Sequence, residues 1–166
     1  WHLCRRSSIR GSDGIRAKVS QIFVGKMYLF DTDHLTIMDR GGSSAQILLA
    51  KLSQVNPLEI ATTIVSYEEQ TRGWLSYIAK ATNLDAQVLA YSKLERHLAK
   101  FRAATVIGFD STSAKEFERI RRLYPRLGTM DLKIAAISMT NNATLLTRNK
   151  SDFERIEGLI FEDWTS

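Results

Sequence analysis

Apolar positions along the chain fall into two patterns: short unbroken runs, and longer stretches where they recur every three or four residues. Met27-Tyr28-Leu29-Phe30 is a run that stops at Asp31 and predicts a buried strand. After Asn56-Pro57, the β-branched stretch 58–65 predicts a second strand. Stretches 105–109 and 143–147 predict a third and a fourth, and Leu159-Ile160-Phe161 a fifth. Helices are expected at 33–40 and 44–55, separated by Gly41-Gly42. Another follows Ser66, read as its N-cap, with Glu68 and Glu69 in the first turn. Leu84, Val88, Tyr91, Leu94, Leu98 and Phe101 mark a long amphipathic helix over 84–104. A charged helix over 112–123 ends before Pro125 and Gly128. The next, 130–140, is apolar nearly all round apart from Asp131, Lys133 and Ser138, so it is expected to be deeply packed. Alternation of short strands with helices argues for an α/β sandwich around a mainly parallel sheet.

Composition narrows the class without naming a function. At 166 residues one domain is expected, and 44% apolar with 25% charged residues is ordinary globular usage. Cys4 is the sole cysteine, which excludes a disulfide scaffold, and no apolar run reaches the ~20 residues that span a bilayer. The net charge of +5 is confined to residues 1–26, which carry six basic residues and one acid; residues 27–166 are neutral. Residues 1–26 read as a basic extension, disordered or non-native, with the native fold starting at Met27, the first methionine. Net basicity therefore does not argue for nucleic acid. Any attraction for phosphate must be local, from a bound metal ion and from cations such as Arg72, Arg148 and Lys150.

The acids are more informative. In a parallel α/β sheet, strand C-termini and the N-termini of following helices share the edge where ligands bind. Asp31 ends the first predicted strand, with Asp33 two residues on. Glu69 lies in the first turn after the second strand, Asp131 at the start of the apolar helix, and Asp152 just beyond the fourth strand. Each has a plainer reading: Asp31 as strand terminator and cap, Glu69 and Asp131 as dipole-compensating acids, Asp152 as a cap for 153–156. Asp110 also ends a strand, but Ser111-Thr112-Ser113 follow it, which favours capping. Four carboxylates from four segments on one edge repel unless a cation compensates them. Oxygen-only ligation suits a hard ion such as Mg²⁺, and phosphodiester hydrolysis is chemistry that such a site can support.

The blocks YLFDTDHL (28–35), VSYEEQTRG (65–73), GTMDLKIAA (128–136) and ATLLTRNKSDFERIEGL (143–159), closing on EDW (162–164), resemble the PIN-domain ribonucleases, specifically VapC-type toxins of toxin–antitoxin pairs. The resemblance covers 27–166. It implies a three-layer α/β/α domain with four or five short strands, and a Mg²⁺- or Mn²⁺-dependent endoribonuclease in the cytoplasm. It also implies a small VapB-like antitoxin as partner, an RNA substrate and a homodimer. Matched block by block, the catalytic and metal-holding acids would be Asp31, Glu69, Asp131 and Asp152, with Thr32, Asp33, Thr147 and Asn149 around them. Asp33 stands where the family usually has Asn, and Glu68 competes with Glu69, whose spacing from Gly73 favours it. On this reading Asp31→Ala should abolish cleavage with little loss of stability.

Two rivals remain at this stage. Phe30-Asp31-Thr32-Asp33 loosely follows the DxDxT pattern of haloacid-dehalogenase-like phosphatases, with Asp31 as nucleophile and Asp33 as general acid, although no later GD-x3-D block is present. The other is a catalytically silent partner-binding module, for which helices 33–40 and 44–55 are candidate surfaces. Trp74 and Tyr77 read as packing residues and Trp164 as a C-terminal anchor. His34 has no second His or Cys nearby to make a zinc site. His97 lies among Lys93, Arg96 and Lys100, on a solvated face or an RNA-contact surface.

Overall fold

The computed structural model describes residues 26–166. The reading of 1–26 as an extension falls outside that range except for Lys26, whose ammonium reaches Glu162 at 3.1 Å. Five strands among the described residues form one all-parallel sheet, β1 (Tyr28–Phe30), β2 (Ile60–Thr63), β3 (Val106–Ile107), β4 (Thr144–Leu146) and β5 (Phe161–Glu162), in the order β3-β2-β1-β4-β5. Among the described residues seven α-helices connect them: α1 (Thr32–Arg40), α2 (Ser43–Leu52), α3 (Ile64–Ala79), α4 (Leu84–Ala103), α5 (Ser111–Leu123), α6 (Thr129–Thr140) and the single turn α7 (Lys150–Phe153).

Register explains the three layers. Leu29 pairs with Ala61 and Leu145, and all three point into one core with Ile120 of α5 and the apolar side of α6. Tyr28 and Phe30 point the other way, where Phe30 and Leu146 meet Leu35, Leu48, Phe101 and Trp164. Side chains of a strand alternate between faces, so three-residue strands suffice to serve both cores. Because both faces are covered, the strands carry unbroken apolar runs rather than alternating ones, as parallel sheets do. α6 has six fully buried residues between Leu132 and Ser138, in accord with its nearly continuous apolar sequence.

Three expectations need correction. The stretch 58–65 is not one strand: Pro57–Glu59 forms a 3₁₀ turn capped by Asn56, and α3 already begins at Ile64. Its N-cap is Thr63, whose hydroxyl accepts from the Ser66 backbone N–H at 3.0 Å; Ser66 lies inside the first turn. The second helix stops at Leu52, short of residue 55. The apolar stripe of α4 also behaves unexpectedly. An amphipathic helix ordinarily turns such a stripe inward, yet Leu84 is 78% and Val88 70% exposed, with Tyr91 and Leu98 exposed too. The helix instead buries Ala90, His97 and Phe101.

Candidate active site

Parallel strands deliver Asp31 and the first turn of α3 to the same sheet edge, because β1 and β2 are hydrogen-bonded neighbours in register. Asp31 is nearly inaccessible and caps α1, its Oδ1 accepting from the His34 backbone N–H at 3.0 Å. The plain capping role and a place at the site are thus both fulfilled by one carboxylate. Capping adds a cost to the expected small loss of stability in Asp31→Ala, since losing an N-cap costs about 0.5–2 kcal/mol. Thr32, next in the chain, donates its hydroxyl to Glu69 Oε2 and so joins the start of α1 to α3. Glu68 turns away and pairs with Arg72 on the exposed side of α3 at 2.5 Å. The two neighbouring glutamates are thereby separated, and Glu69 is the one that faces the edge.

Asp131 arrives from α6. A Cβ at Gly128 would stand 2.7 Å from Asp131 Oδ2, so a side chain at 128 would displace that carboxylate. Burial pushes the Asp131 carboxyl up to about 6, and the charges of Glu69, Asp152, Asp31 and Asp33 act in the same direction. Asp152 lies in the short helix α7, inside it rather than at its cap. Asn149 Nδ2 donates to Asp152 Oδ2 at 3.0 Å, and Thr147 Oγ1 accepts from the Asn149 backbone N–H at 3.0 Å. Asp33 is exposed at the rim. Asp31, Asp33, Glu69, Asp131 and Asp152 therefore share one edge, with Thr32 bonded to Glu69 and Asn149 to Asp152. Asp110 instead caps α5 through the Ser113 N–H, as its sequence context suggests.

Among the described residues, no lysine or arginine pairs with Asp31, Glu69, Asp131 or Asp152. No three His, Cys, Asp or Glu side chains among them close on a common point as they stand. Mg²⁺ takes one or two carboxylates directly and keeps several waters, so a spaced, all-oxygen, uncompensated set fits such an ion without a closed cage.

A PIN-domain family model matches residues 30–159, most of the chain and every acid of this edge. The chain belongs to the PIN-domain family. That membership replaces the haloacid-dehalogenase-like alternative. No curated protein matches the chain. Solved structures similar to this PIN domain include VapBC2 from Rickettsia felis bound to a DNA fragment from their promoter, at 25% identity over 83% of this chain and 98% of that one, with a TM-score of 0.63. VapBC-1 from nontypeable Haemophilus influenzae is similar at 21% identity, 84% and 99% coverage, and a TM-score of 0.66. FitAcB from Neisseria gonorrhoeae is similar at 20% identity, 84% and 100% coverage, and a TM-score of 0.64. The last two share the fold.

Several residues of this PIN domain matter in ways that their sequence context does not display. His34 is fully buried, and its Nε2 accepts from the Trp164 backbone N–H at 3.3 Å, while its Nδ1 stands 3.5 Å from Asp31 Oδ1. It therefore holds the segment at Trp164 against the start of α1, while its Nδ1 has no hydrogen-bond partner among the described residues. Trp164 packs on Tyr28 with ring centroids 4.6 Å apart, an anchor as expected. His97 corrects the expectation of a solvated position: it is buried, stacked on Tyr67 at 5.3 Å, and bonded through Nε2 to Thr71 Oγ1 at 3.0 Å. Burial, and then Lys100, lower its pKa. Of the cations expected to draw phosphate, Arg72 is committed to Glu68 and Lys150 lies 3.6 Å from Asp163. Arg148 is exposed.

Proposed function

We propose that this PIN domain is a divalent-metal-dependent endoribonuclease, the toxin of a toxin–antitoxin pair, acting in the cytoplasm. The observation that carries the reading is the acidic edge, where burial and then the charges of Glu69, Asp152, Asp31 and Asp33 raise Asp131 to about 6, and where no lysine or arginine among the described residues pairs with Asp31, Glu69, Asp131 or Asp152. Asp31 and Asp131 would hold Mg²⁺ or Mn²⁺. The ion would supply neutralisation of developing charge and activation of water for attack on phosphorus. Glu69 and Asp152 orient water and substrate from either side, each set by one neighbour, Thr32 and Asn149 respectively. Asp33 adds negative charge at the rim and strengthens the demand for a cation.

The similar solved structures are of VapBC2, VapBC-1 and FitAcB, which supports a small antitoxin as partner here. The exposed apolar stripe of α4 supports contact with another chain, either that partner or a second copy in a homodimer. No helix among the described residues is long and apolar enough to cross a membrane. The test is an RNA cleavage assay with Mg²⁺, Mn²⁺ or chelator, run beside Asp31→Asn and Asp131→Asn. Cleavage should require the ion and fall below detection in both variants. Metal-independent cleavage by the wild type, or full activity in either variant, would refute the reading. No cleavage of any RNA would favour the silent partner-binding module.

A further inference from the structure

α1, α3 and α4 enclose an open cleft of about 270 Å³ lined by Asp39, Trp74, Lys93, Arg96, His97 and Lys100. The cleft follows from the α3–α4 hairpin. Tyr67 and Trp74 on α3 pack against His97 on α4, which fixes the two helices side by side. Lys93, Arg96 and Lys100 then emerge together, because residues three, four and seven apart share a helix face. Lys100 is held by Asp39 at 2.8 Å, and Lys93 leans on the Tyr77 ring with its ammonium 4.4 Å from the centroid. Arg96 is exposed and pairs with no carboxylate among the described residues. Three cations thus face one acid. His97 lies between them, its pKa lowered by burial and then by Lys100.

We propose that this cleft is the subsite that grips the RNA backbone, with Lys93 and Arg96 contacting phosphates and Trp74 forming an apolar wall beside them. The polyanion's identity as RNA rests on the nuclease reading above. The physical need is clear: an edge bearing Asp31, Glu69, Asp131 and Asp152 repels a polyphosphate, so substrate must be held by positive charge close by. Residues 27–166 are neutral in sum; of the other cations named for phosphate, Arg72 is committed to Glu68 and Lys150 lies towards Asp163, while Arg148 is exposed as a single charge. From Thr32, which touches Glu69, to Asp39 at the cleft, α1 rises about 10 Å at ~1.5 Å per residue. One strand can therefore reach both places.

The test measures binding of a labelled single-stranded RNA oligonucleotide to the full chain by fluorescence anisotropy in EDTA, across a range of salt. Because chelator removes cleavage, binding is read independently of the nuclease reading. For single strands, each phosphate contact contributes about 0.7 to the slope of log K against log salt. The double variant Lys93→Gln/Arg96→Gln should bind more weakly and with a slope smaller by about 1.4. Arg96→Lys should keep the wild-type slope, and Arg121→Gln/Arg122→Gln on α5 should change it little. The basic residues before Met27 contribute equally to every variant, so differences report the cleft. Wild-type affinity and slope in the Lys93/Arg96 variant would overturn the proposal, as would equal losses in the α5 control. Absence of RNA binding with retained binding of a poly-glutamate peptide would also overturn it, and would assign the cleft to a protein partner. Cleft-dependent RNA binding without metal-dependent cleavage would refute the nuclease reading and leave the subsite standing.

Discussion

Replacing Asp131 by Asn should make the metal-free protein more stable, the reverse of most substitutions at a partly buried polar position. In the folded protein the Asp131 carboxyl rises from 3.8 to about 6, through burial first and then the charges of Glu69, Asp152, Asp31 and Asp33. At 1.36 kcal/mol per pH unit, that difference corresponds to about 3 kcal/mol of destabilisation once the group is ionised. Asp131 is partly open to solvent, and screening reduces the expected effect to about 1–1.5 kcal/mol. The sign follows from proton counting. Between pH 3.8 and about 6 the folded state binds more protons than the unfolded one, so stability falls as pH rises through that window. The penalty is complete above about 6 and absent below 3.8. Urea or thermal unfolding in EDTA at pH 7.5 should therefore show Asp131→Asn ahead by about 1–1.5 kcal/mol, or roughly 2–6 °C. Most of the gain should vanish at pH 4.5. Millimolar Mg²⁺ or Mn²⁺ should narrow the gap at pH 7.5 by stabilising the wild type, because an ion that binds only the folded state adds its binding free energy. A variant no more stable than wild type at pH 7.5, or a gain independent of pH, would show that these acids do not share an electrostatic field.

Asp31 separates capping from chemistry. Asn is as good an N-cap as Asp, so Asp31→Asn should stay close to wild-type stability, whereas Asp31→Ala should lose about 0.5–2 kcal/mol by urea unfolding; equal stabilities would refute the cap at His34 N–H. Surface and core positions of α4 should diverge sharply. Val88→Ser and Leu84→Ser should change unfolding free energy by less than about 0.5 kcal/mol at low protein concentration, while Phe101→Ala should cost about 3–5 kcal/mol. Large losses at Val88 and Leu84 in a monomeric sample would contradict the orientation of the helix.

Much of the architecture is written locally. Short, mainly apolar runs at 28–30 and 144–146 predict buried strands, and the nearly continuous apolar helix 129–140 predicts a place deep in the packing. Once the order of strands and helices is known, the rule that strand ends and helix starts share an edge brings Asp31, Glu69, Asp131 and Asp152 together without coordinates. Local pattern alone does not decide matters that depend on a neighbour distant in sequence. Thr63 rather than Ser66 caps α3 because β2 ends where its pairing with β3 ends, at Thr63↔Ile107. Both hydroxyls are equally suited as caps by type. Glu69 is chosen over Glu68 by Thr32, thirty-seven residues earlier. His97 is buried because Tyr67 and Thr71 lie across the hairpin to receive it, although its own helix surrounds it with cations. The stripe from Leu84 to Leu98 has the periodicity of a core face and lies outside, since periodicity identifies a shared face but not the side it is turned to. Sequence thus determined which segments are strands or helices and which acids could meet, through short-range sterics and burial. Tertiary structure decided which of two equivalent side chains points inward, because that choice is made by the space and hydrogen-bond partners that another part of the chain provides.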